Sequence, residues 1–558
     1  MIDFTLDTAA IAVPFQKALT RLEEIRFADA LWARRPDVWT DDAATQAKIA
    51  NRLGWLNAIE FVRPHLARLR AFADAVRQEA FTDVVLLGMG GSSLAPEVMR
   101  RVIRVAPGRP RFRVLDSVDP DAVRNAMANA GTSLFLLASK SGSTIEPNVM
   151  AAEAQRRLRE ADIAPWGSRF VAITDESTPA HHRAQAEQFR DIFINPSDIG
   201  GRYSALSFFG MVPAALMGID LEALLTRASA MADACRVPVP LANPGLALGA
   251  FMGAAALAGR DKLTLLVPEP LESFGLWVEQ LVAESTGKEG KGVIPIAGEC
   301  PDALFGPDRA VVAVHVGDEA PRGVERAAAA GVPLIRITLP DALALGAEFF
   351  RWEVATATAG LLVGINPFDE PNVQQAKNAT GALLETYAAQ QRLPMPEPHA
   401  RIEGALLTLS NPAQERLSSA DALAFLRGAS PGDYVGLLAY LPPDDPTFAD
   451  ACTGARGAIG TRTSCATMFG YGPRYLHSTG QLHKGGPNTG IFIIVTAEVD
   501  EDLPIPGEPF SFFVLEMAQA IGDFQSLDRT GRRALHMHLP RRDPGLLAHV
   551  IEALACHS

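Results

Sequence analysis

The chain has 558 residues, which is too many for one hydrophobic core and indicates two to four domains. Its formal net charge is −13 and its Lys and Arg residues are scattered, so general nucleic-acid binding is not expected. The five cysteines include no CxxC pair, and the first residues lack the basic side chains of a signal peptide. These features predict a cytoplasmic protein with neither a zinc site nor disulfides.

The first predicted region, residues 1–75, is helical. The stretch DDAATQAKIANRLGWLNAIEFV has apolar residues at helical spacing, and Asp41 or Asp42 can cap its start. From residue 76 the pattern changes to short apolar runs that alternate with helical sequence. Strands of this kind are buried on both faces and are typical of a parallel α/β sheet, here over residues 76–238. The runs are TDVVLLG, RFRVLDS, SLFLLAS and RFVAITD.

Two further α/β units follow, at residues 239–384 and 385–558. Asn243 and Pro244 predict a helix start after the linker VPVPLANPG. The apolar stretch GLALGAFMGAAALAG is short for a membrane span and fits a buried helix better. The predicted strands are KLTLLVP, AVVAVHV and PLIRITL in the second unit, and GALLTLS, DYVGLLAYL, GIFIIVTAEV and ALHMHLP in the third.

A cluster of hydroxyl side chains follows the strand in SLFLLASKSGSTIEP. Ligands bind at the carboxyl ends of parallel strands, where the next helix offers free N–H groups and the positive end of its dipole. Gly142 lets the backbone approach a ligand closely. The loop therefore predicts a phosphate cradle, with helix capping as the alternative. The hydroxyls are those of Ser139, Ser141, Ser143 and Thr144.

A second loop, in VVLLGMGGSSLAP, has the same order of strand, glycines, hydroxyls and helix. Gly91 and Ser92 are its candidate binding residues. A dinucleotide fingerprint is excluded because Ser93 stands where the third glycine of G-x-G-x-x-G is required.

Five stretches occur in one order: LLGMGGSSLAPEV, ASKSGSTIEP, GGRYSALSFFG, ESTGKEGKG and NPFDEPNVQQAK. Together they resemble the glucose-6-phosphate isomerase family, which is built from two sugar-isomerase (SIS) domains. The resemblance implies an α/β fold with two SIS-type doubly wound parallel-sheet domains and a third, C-terminal α/β domain. The tail YLHSTGQLHKGGPNTG resembles the isomerase half of transaldolase/glucose-6-phosphate isomerase fusions. No transaldolase half is expected, because nothing before residue 76 could form a (β/α)8 barrel.

The resemblance implies isomerisation of an aldose to a ketose through an enediol, with Glu284 as the base that moves the proton. Gln280, four residues earlier, lies on the same helical face. Arg202 matches the arginine that stabilises the enediolate, and Gly201 lets the backbone come close to the sugar. Lys377 matches a lysine near the ring oxygen, although Asn372 stands where the family usually has Gly. The alternatives are a surface Glu284 and a structural ion pair of Arg202.

The family also uses a histidine for ring opening, and no histidine stands at a matching position after ESTGK. His315 follows later inside an apolar strand and is interpreted as a core residue. The loop at 475–490 is polar and Gly-rich, as site loops are. We expect His483, or as second choice His477, to catalyse ring opening with Lys484 or Lys377 beside it. The loop could come from the same chain or from a partner subunit, and a tight structural turn is the alternative.

These predictions describe an isomerase of glucose 6-phosphate and fructose 6-phosphate with no metal and no organic cofactor. A hexose with another anion at C6, such as a sulfonate, is an alternative substrate, and a non-catalytic sugar-phosphate sensor is an alternative function. The predicted partner is a small sugar phosphate, without nucleic acid or membrane, and the sequence leaves monomer and homodimer open. The pair HMH at 536–538 is interpreted as packing rather than a metal site.

Overall fold

The computed structural model describes residues 3–79, 81–300, 302–417 and 421–556. They form an α/β molecule whose strands belong to three sheets. Among the described residues the strands, in chain order, are β1 Asp3–Asp7, β2 Asp83–Gly88, β3 Arg111–Leu115, β4 Ser133–Ala138, β5 Phe170–Asp175, β6 Asp191–Asn195, β7 Lys262–Leu266, β8 Ile294–Ile296, β9 Arg309–Val316, β10 Leu334–Leu339, β11 Ala400–Ile402, β12 Ala405–Leu409, β13 Tyr434–Ala439, β14 Ala466–Tyr471, β15 Gly490–Ala497 and β16 Arg533–Leu539.

Helices cover the faces of the sheets and connect their strands. In chain order they are α1 Ala12–Glu24, α2 Phe27–Trp32, α3 Ala43–Ala50, α4 Ala58–Val62, α5 Leu66–Gln78, α6 Leu94–Val102, α7 Pro120–Ala126, α8 Ile145–Glu160, α9 Pro179–Ala186, α10 Phe208–Leu216, α11 Leu221–Ala234, α12 Pro244–Leu257, α13 Glu272–Thr286, α14 Val324–Ala329, α15 Leu345–Val363, α16 Val373–Gln390, α17 Asn411–Leu417, α18 Pro446–Thr463, α19 Gly480–Gly485, α20 Phe512–Arg529 and α21 Pro544–Cys556.

The first sheet has the strand order β3-β2-β4-β5-β6, and every pair in it is parallel. Strands β2 and β4 are buried at every position, because helices cover both faces of the sheet. This is the reason their sequences are continuous apolar runs, and the predicted parallel α/β architecture is confirmed. All these strands end at the same edge of the sheet, which places the two predicted binding loops side by side.

The second sheet has the order β1-β10-β9-β7-β8. Its inner strands are parallel, and β1 adds to the edge in antiparallel orientation, with Phe4 opposite Ile337. The sequence predicted a wholly helical N-terminal segment, and this is wrong for its first residues. They form β1, which pairs with β10, a strand more than 300 residues later in the chain. The start of α3 agrees with the prediction, since the Asp42 carboxylate accepts a hydrogen bond from the Thr45 N–H at 2.7 Å.

The third sheet has the order β11-β12-β16-β15-β13-β14, with antiparallel strands at one side. The predicted limit at residue 384 falls inside α16, which runs on to Gln390. Helix α20 packs on α16, and apolar residues of both helices share one core with the first sheet. The C-terminal region is thus held against the first sheet through α20, and the exact domain limits stay predictions.

Helix α12 contains the longest apolar stretch of the sequence. It packs against α15 and α1, and Asn243 caps its start by accepting from the N–H groups of Gly245 and Leu246. The prediction of a buried helix fits this position. In the part of the chain that the structure describes, no helix combines the length and apolarity needed to cross a bilayer.

Candidate active site

A cavity of about 510 Å³ lies at the carboxyl ends of the first sheet's strands. Its size is within the range of small-molecule sites. Segments from all three predicted α/β regions line it. They contribute hydroxyls, glycines, carboxylates and basic side chains, among them Gly91, Ser92, Ser139, Ser141, Thr144, Gly201, Arg202, Gln280, Glu284, Glu370, Lys377 and His477.

The predicted phosphate cradle is the loop between β4 and α8. The Ser139 hydroxyl accepts a hydrogen bond from the Gly142 N–H at 3.1 Å, which folds the loop into a tight turn. Thr144 occupies the N-cap position of α8, but its hydroxyl makes no capping bond. Ser143 donates to the Ser141 hydroxyl at 3.0 Å and supports it from outside the cavity lining. The loop therefore offers hydroxyls and a helix N-terminus to an anion.

The glycine-rich loop after β2 touches the turn that carries Arg202. A Cβ on Gly91 would lie 2.0 Å from the carbonyl oxygen of Gly201, so no side chain fits between the two loops. Close packing against Gly201 therefore explains why position 91 is a glycine, and Gly91 also lines the cavity. Gly201 has no atom near the position of a Cβ, so its backbone faces open space. Ser92 lines the cavity beside them.

Glu284, Arg202 and Gln280 line the cavity and contact one another. Glu284 lies in the last turn of α13, and its Oε1 is 3.1 Å from Nη1 of the buried Arg202. Gln280, one helical turn earlier, donates from Nε2 to the Glu284 carboxylate at 3.2 Å. The same amide donates to the carbonyl oxygen of His477 at 2.8 Å, which connects the base to the C-terminal region.

The surroundings of Glu284 raise the pKa of its carboxyl group above the ordinary value. Burial is the largest cause, and the nearby Glu370 carboxylate raises the pKa further. Arg202 acts in the opposite direction without overcoming these two effects. A carboxylate whose pKa is moved toward neutrality is suited to take up a proton and return it.

Lys377 belongs to the start of α16 and lines the cavity with an exposed side chain. Arg202 also contacts the segment just before this helix, because its Nη1 lies 3.0 Å from a Glu370 carboxylate oxygen. The motif NPFDEPNVQQAK thus contributes a carboxylate and an amine to the cavity lining, and the role of Lys377 near the ring oxygen stays a prediction.

On the opposite side, His477 ends a short 3-10 turn, Arg474–His477. Its Nε2 lies 2.8 Å from Oε1 of Glu146, a buried residue of α8. Gln519 of α20 donates to the same oxygen at 2.7 Å. Burial alone would raise the pKa of Glu146, but the charge of His477 and these hydrogen bonds hold it below its ordinary value. The imidazole is therefore oriented by an ionised carboxylate.

The structure does not place His483 or Lys484 in the cavity lining, which corrects two predictions. His483 is 1% exposed and its ring lies between Tyr475 and Phe492, with centroid distances of 5.9 and 4.8 Å. Burial lowers the pKa of His483 well below the ordinary value. Lys484 Nζ lies 2.6 Å from the buried Asp523 carboxylate. Both side chains are buried because α19 packs against α13 and α20.

Three contributors to the site were not predicted from the sequence. Glu146 stands in the quoted stretch SKSGSTIEP, yet nothing in that stretch indicates a partner at residue 477. Gln519 lies on α20, which is buried at every position from Val514 to Phe524 and contains no motif. Glu370 lies inside the NPFDEP motif, and an acidic side chain in a motif that also supplies Lys377 was the available sequence signal. In the structure it forms an ion pair with Arg202. His536 and His538 lie outside the site, both bound to the Thr496 hydroxyl at 2.9 Å.

Comparison with known proteins gives the following relatives. The family model described as Phosphoglucose isomerase matches residues 55–297. The glucose-6-phosphate isomerase of Prochlorococcus marinus (strain MIT 9313) is 30% identical over 413 residues, which cover 66% of this chain and 74% of the relative. That of Rubrobacter xylanophilus is 30% identical over 383 residues, covering 58% of this chain and 87% of the relative.

Two solved structures have a similar fold. A hypothetical protein from Thermus thermophilus superposes with a TM-score of 0.57 at 25% identity, covering 68% of this chain and 99% of its own. A glucose-6-phosphate isomerase from Chlamydia trachomatis superposes with a TM-score of 0.54 at 18% identity, covering 69% and 89%. These superpositions support the two-sheet α/β core.

Proposed function

The chain belongs to the glucose-6-phosphate isomerase family, and from this premise we propose that it interconverts glucose 6-phosphate and fructose 6-phosphate. The observation that carries the proposal is the convergence of Glu284, Arg202 and His477 on one cavity that also contains the hydroxyl cradle. A base, a fixed positive charge and a second proton donor are the groups that an aldose–ketose isomerisation requires.

In the proposed reaction the Glu284 carboxylate takes the proton from C2 of the open-chain aldose; the C2–H electron pair forms the C1=C2 bond and the carbonyl pair moves to O1. The proton on O2 then passes to O1, and when Glu284 returns its proton to C1 the electron pair on O2 forms the C2 carbonyl of the ketose. The pKa of Glu284, raised by burial, suits both directions of this transfer. Gln280 keeps the carboxylate in place through its hydrogen bond at 3.2 Å.

Arg202 is the proposed partner of the enediolate. Its guanidinium is buried and remains charged, so it stabilises negative oxygen without exchanging the proton that Glu284 moves. The cradle hydroxyls of Ser141 and Thr144 would hold the phosphate at the far end of the sugar. Together the two contacts fix both ends of an extended, open-chain substrate.

Ring opening is assigned to His477 in place of His483. His477 lines the cavity, its imidazole is oriented by the Glu146 carboxylate, and Gln519 holds that carboxylate by donating to it. Lys377 lines the same cavity, as the family resemblance implies for the lysine near the ring oxygen.

The test is an assay of the purified chain with glucose 6-phosphate in the presence of EDTA, following fructose 6-phosphate. We expect turnover, and EDTA should not reduce it. A parallel assay with a C6-sulfonated hexose tests whether this alternative substrate is isomerised in preference to glucose 6-phosphate. Tight binding of glucose 6-phosphate without conversion would instead identify a sensor. The sugar phosphate is the proposed partner, and a cytoplasmic location stays a prediction.

A further inference from the structure

The guanidinium of Arg202 is surrounded by acceptors of the protein itself. Nε donates to the Ser285 hydroxyl at 2.7 Å, and Nη2 donates to two backbone carbonyls, those of Pro367 and Asp369, at 2.9 and 3.0 Å. Nη1 donates to the Glu370 carboxylate at 3.0 Å and forms an ion pair with Glu284 Oε1 at 3.1 Å. Four of the five N–H groups of the guanidinium thus donate within the protein, and the fifth, on Nη1, lies against the Glu284 carboxylate. A substrate oxygen that is to receive a hydrogen bond from Nη1 therefore competes with these two carboxylates.

Four of the five acceptors cannot leave without cost. Ser285 is buried in α13, and Glu284 has to stay to move the proton. The two carbonyls belong to the connection between α15 and α16, residues 364–372, which the Lys288 ammonium anchors. Lys288 donates to the Asn366 carbonyl and to the Asp369 carboxylate, both at 2.8 Å. The backbone that presents these carbonyls is therefore fixed.

Glu370 is the remaining acceptor, and it differs from the others in exposure. Its side chain is 42% exposed and lines the cavity, whereas the Arg202 side chain is 4% exposed and the Glu284 side chain 14%. An exposed carboxylate that leaves a cation regains its hydration, which makes the exchange inexpensive. Rotation of this one side chain opens Nη1 toward the cavity and leaves the anchored loop in place.

On the basis of the proposed function, we propose that the Glu370 carboxylate is an internal ligand of Arg202 which an anionic oxygen at C1 or C2 of the substrate displaces. Glu370 holds the guanidinium through the same Nη1 that would contact the enediolate. It is a positioning residue, and the class of ligand that replaces it is an oxyanion at the reacting end of the sugar. A sugar phosphate without such an anion gains nothing from its departure.

Glu370 also belongs to the charges that face Glu284. Arg202 and Glu370 approach Glu284 from two other segments of the chain. Lys288 follows α13, the helix that carries Glu284, and Gln280 donates a hydrogen bond to the Glu284 carboxylate. Burial and Glu370 raise the pKa of Glu284, whereas the other three lower it. His477 and Lys377 line the same cavity. Removal of the Glu370 charge therefore shifts the acid limb of kcat/KM to lower pH, because Glu284 must be ionised to act as the base.

The experiment compares two inhibitors against wild type, Glu370→Ala and Glu370→Gln. The first, 6-phosphogluconate, carries a carboxylate at C1; the second, sorbitol 6-phosphate, has a neutral hydroxyl there. For Glu370→Ala we expect the Ki of 6-phosphogluconate to fall about tenfold, the effect of one charge-assisted hydrogen bond that is no longer contested. The Ki of sorbitol 6-phosphate should stay within about twofold. Glu370→Gln, whose amide still accepts from Nη1, should lie between Glu370→Ala and wild type.

Glu176→Gln is the matched control. It removes a charge from the lining of the same cavity, but Glu176 is not among the acceptors that surround Arg202. An equal gain in Glu176→Gln would reduce the effect to general electrostatics and overturn the proposal. Weaker or unchanged binding of 6-phosphogluconate by Glu370→Ala would also overturn it, since Glu370 would then only support Arg202. A wild type that binds 6-phosphogluconate but does not isomerise contradicts the proposed function instead.

Discussion

The two sides of the cavity are built differently. On one side, Glu284, Arg202 and the hydroxyl cradle come from loops and helix ends at the edges of the first two sheets. On the other side, a single segment of the C-terminal region inserts His477 between Glu146 and Gln280. The first side can be predicted from short motifs, because each motif contains its own functional residue. The second side can be predicted only as a polar, Gly-rich neighbourhood.

The two histidines of that C-terminal segment show how far a stretch without a motif can be interpreted. They are close in the sequence and have similar composition around them, yet one lines the cavity and the other lies in a core. His477 ends a 3-10 turn that faces Glu146, whereas His483 lies on the inner face of α19 against Phe492. Local sequence does not specify this orientation, because the partners that fix it lie in other parts of the chain.

The largest effect is expected on the motif side, for Glu284→Gln. The amide keeps the shape of the side chain but cannot take up the proton from C2. We expect kcat to fall by at least about 10²-fold, the scale of a positioned acid–base group, with substrate binding largely retained. Steady-state kinetics with glucose 6-phosphate measures both quantities. Near-normal turnover would remove Glu284 from the role of base and undo the contrast between the two sides.

The next effect tests the other side, with His477→Ala. Turnover of cyclic glucose 6-phosphate should fall by about 10–100-fold, below the full range of a catalytic acid because water can replace the imidazole. Proton exchange into 5-deoxyfructose 6-phosphate, which lacks the hydroxyl that closes the ring, should be largely spared. Deuterium incorporation from solvent measures this exchange.

The control for this experiment is His483→Phe, which keeps an aromatic ring between Tyr475 and Phe492. It should turn over the cyclic substrate within about twofold of wild type. Equal impairment of His477→Ala on cyclic and open substrates would indicate general damage to the site. A strong loss in His483→Phe with a normal His477→Ala would restore the assignment that the sequence favoured.

A smaller effect is expected for the double variant Ser141→Ala, Thr144→Ala. Each hydroxyl removed costs the phosphate one hydrogen bond to a charged group, worth about 1.5 kcal/mol or tenfold in affinity at the lower end. KM for glucose 6-phosphate and the Ki of inorganic phosphate should rise in parallel, with kcat less affected. Ser168→Ala, whose hydroxyl donates to the Pro165 carbonyl elsewhere on the surface, is the control. An unchanged Ki for phosphate would place the anion elsewhere.

The sequence predicted the parallel sheets because strands buried on both faces need uninterrupted apolar runs, as in β2 and β4. It missed β1, since a five-residue edge strand is short and its partner β10 lies more than 300 residues away. The positions of Glu284, Arg202 and Lys377 follow from motifs, whereas Glu146 and Gln519 act through contacts between distant segments. Such contacts join residues that no local pattern connects, and the burial that raises the pKa of Glu284 depends on them.

The smallest effect separates the two histidines by stability. Burial lowers the pKa of His483 well below 6.5, so the folded protein keeps this ring neutral while the unfolded chain protonates it near pH 6.5. Below that pH the unfolded state binds one more proton, and the free energy of unfolding falls by about 1.4 kcal/mol per pH unit from this group. Phe at this position cannot bind the proton. The melting temperature of His483→Phe should therefore fall less steeply than that of wild type between pH 6.5 and 5, by about 1–2 °C per pH unit.

His536, whose pKa burial lowers to about 3, contributes equally to both proteins and cancels in the comparison. Parallel pH dependences would mean that His483 is reached by solvent protons in the folded state, and its core position would be wrong.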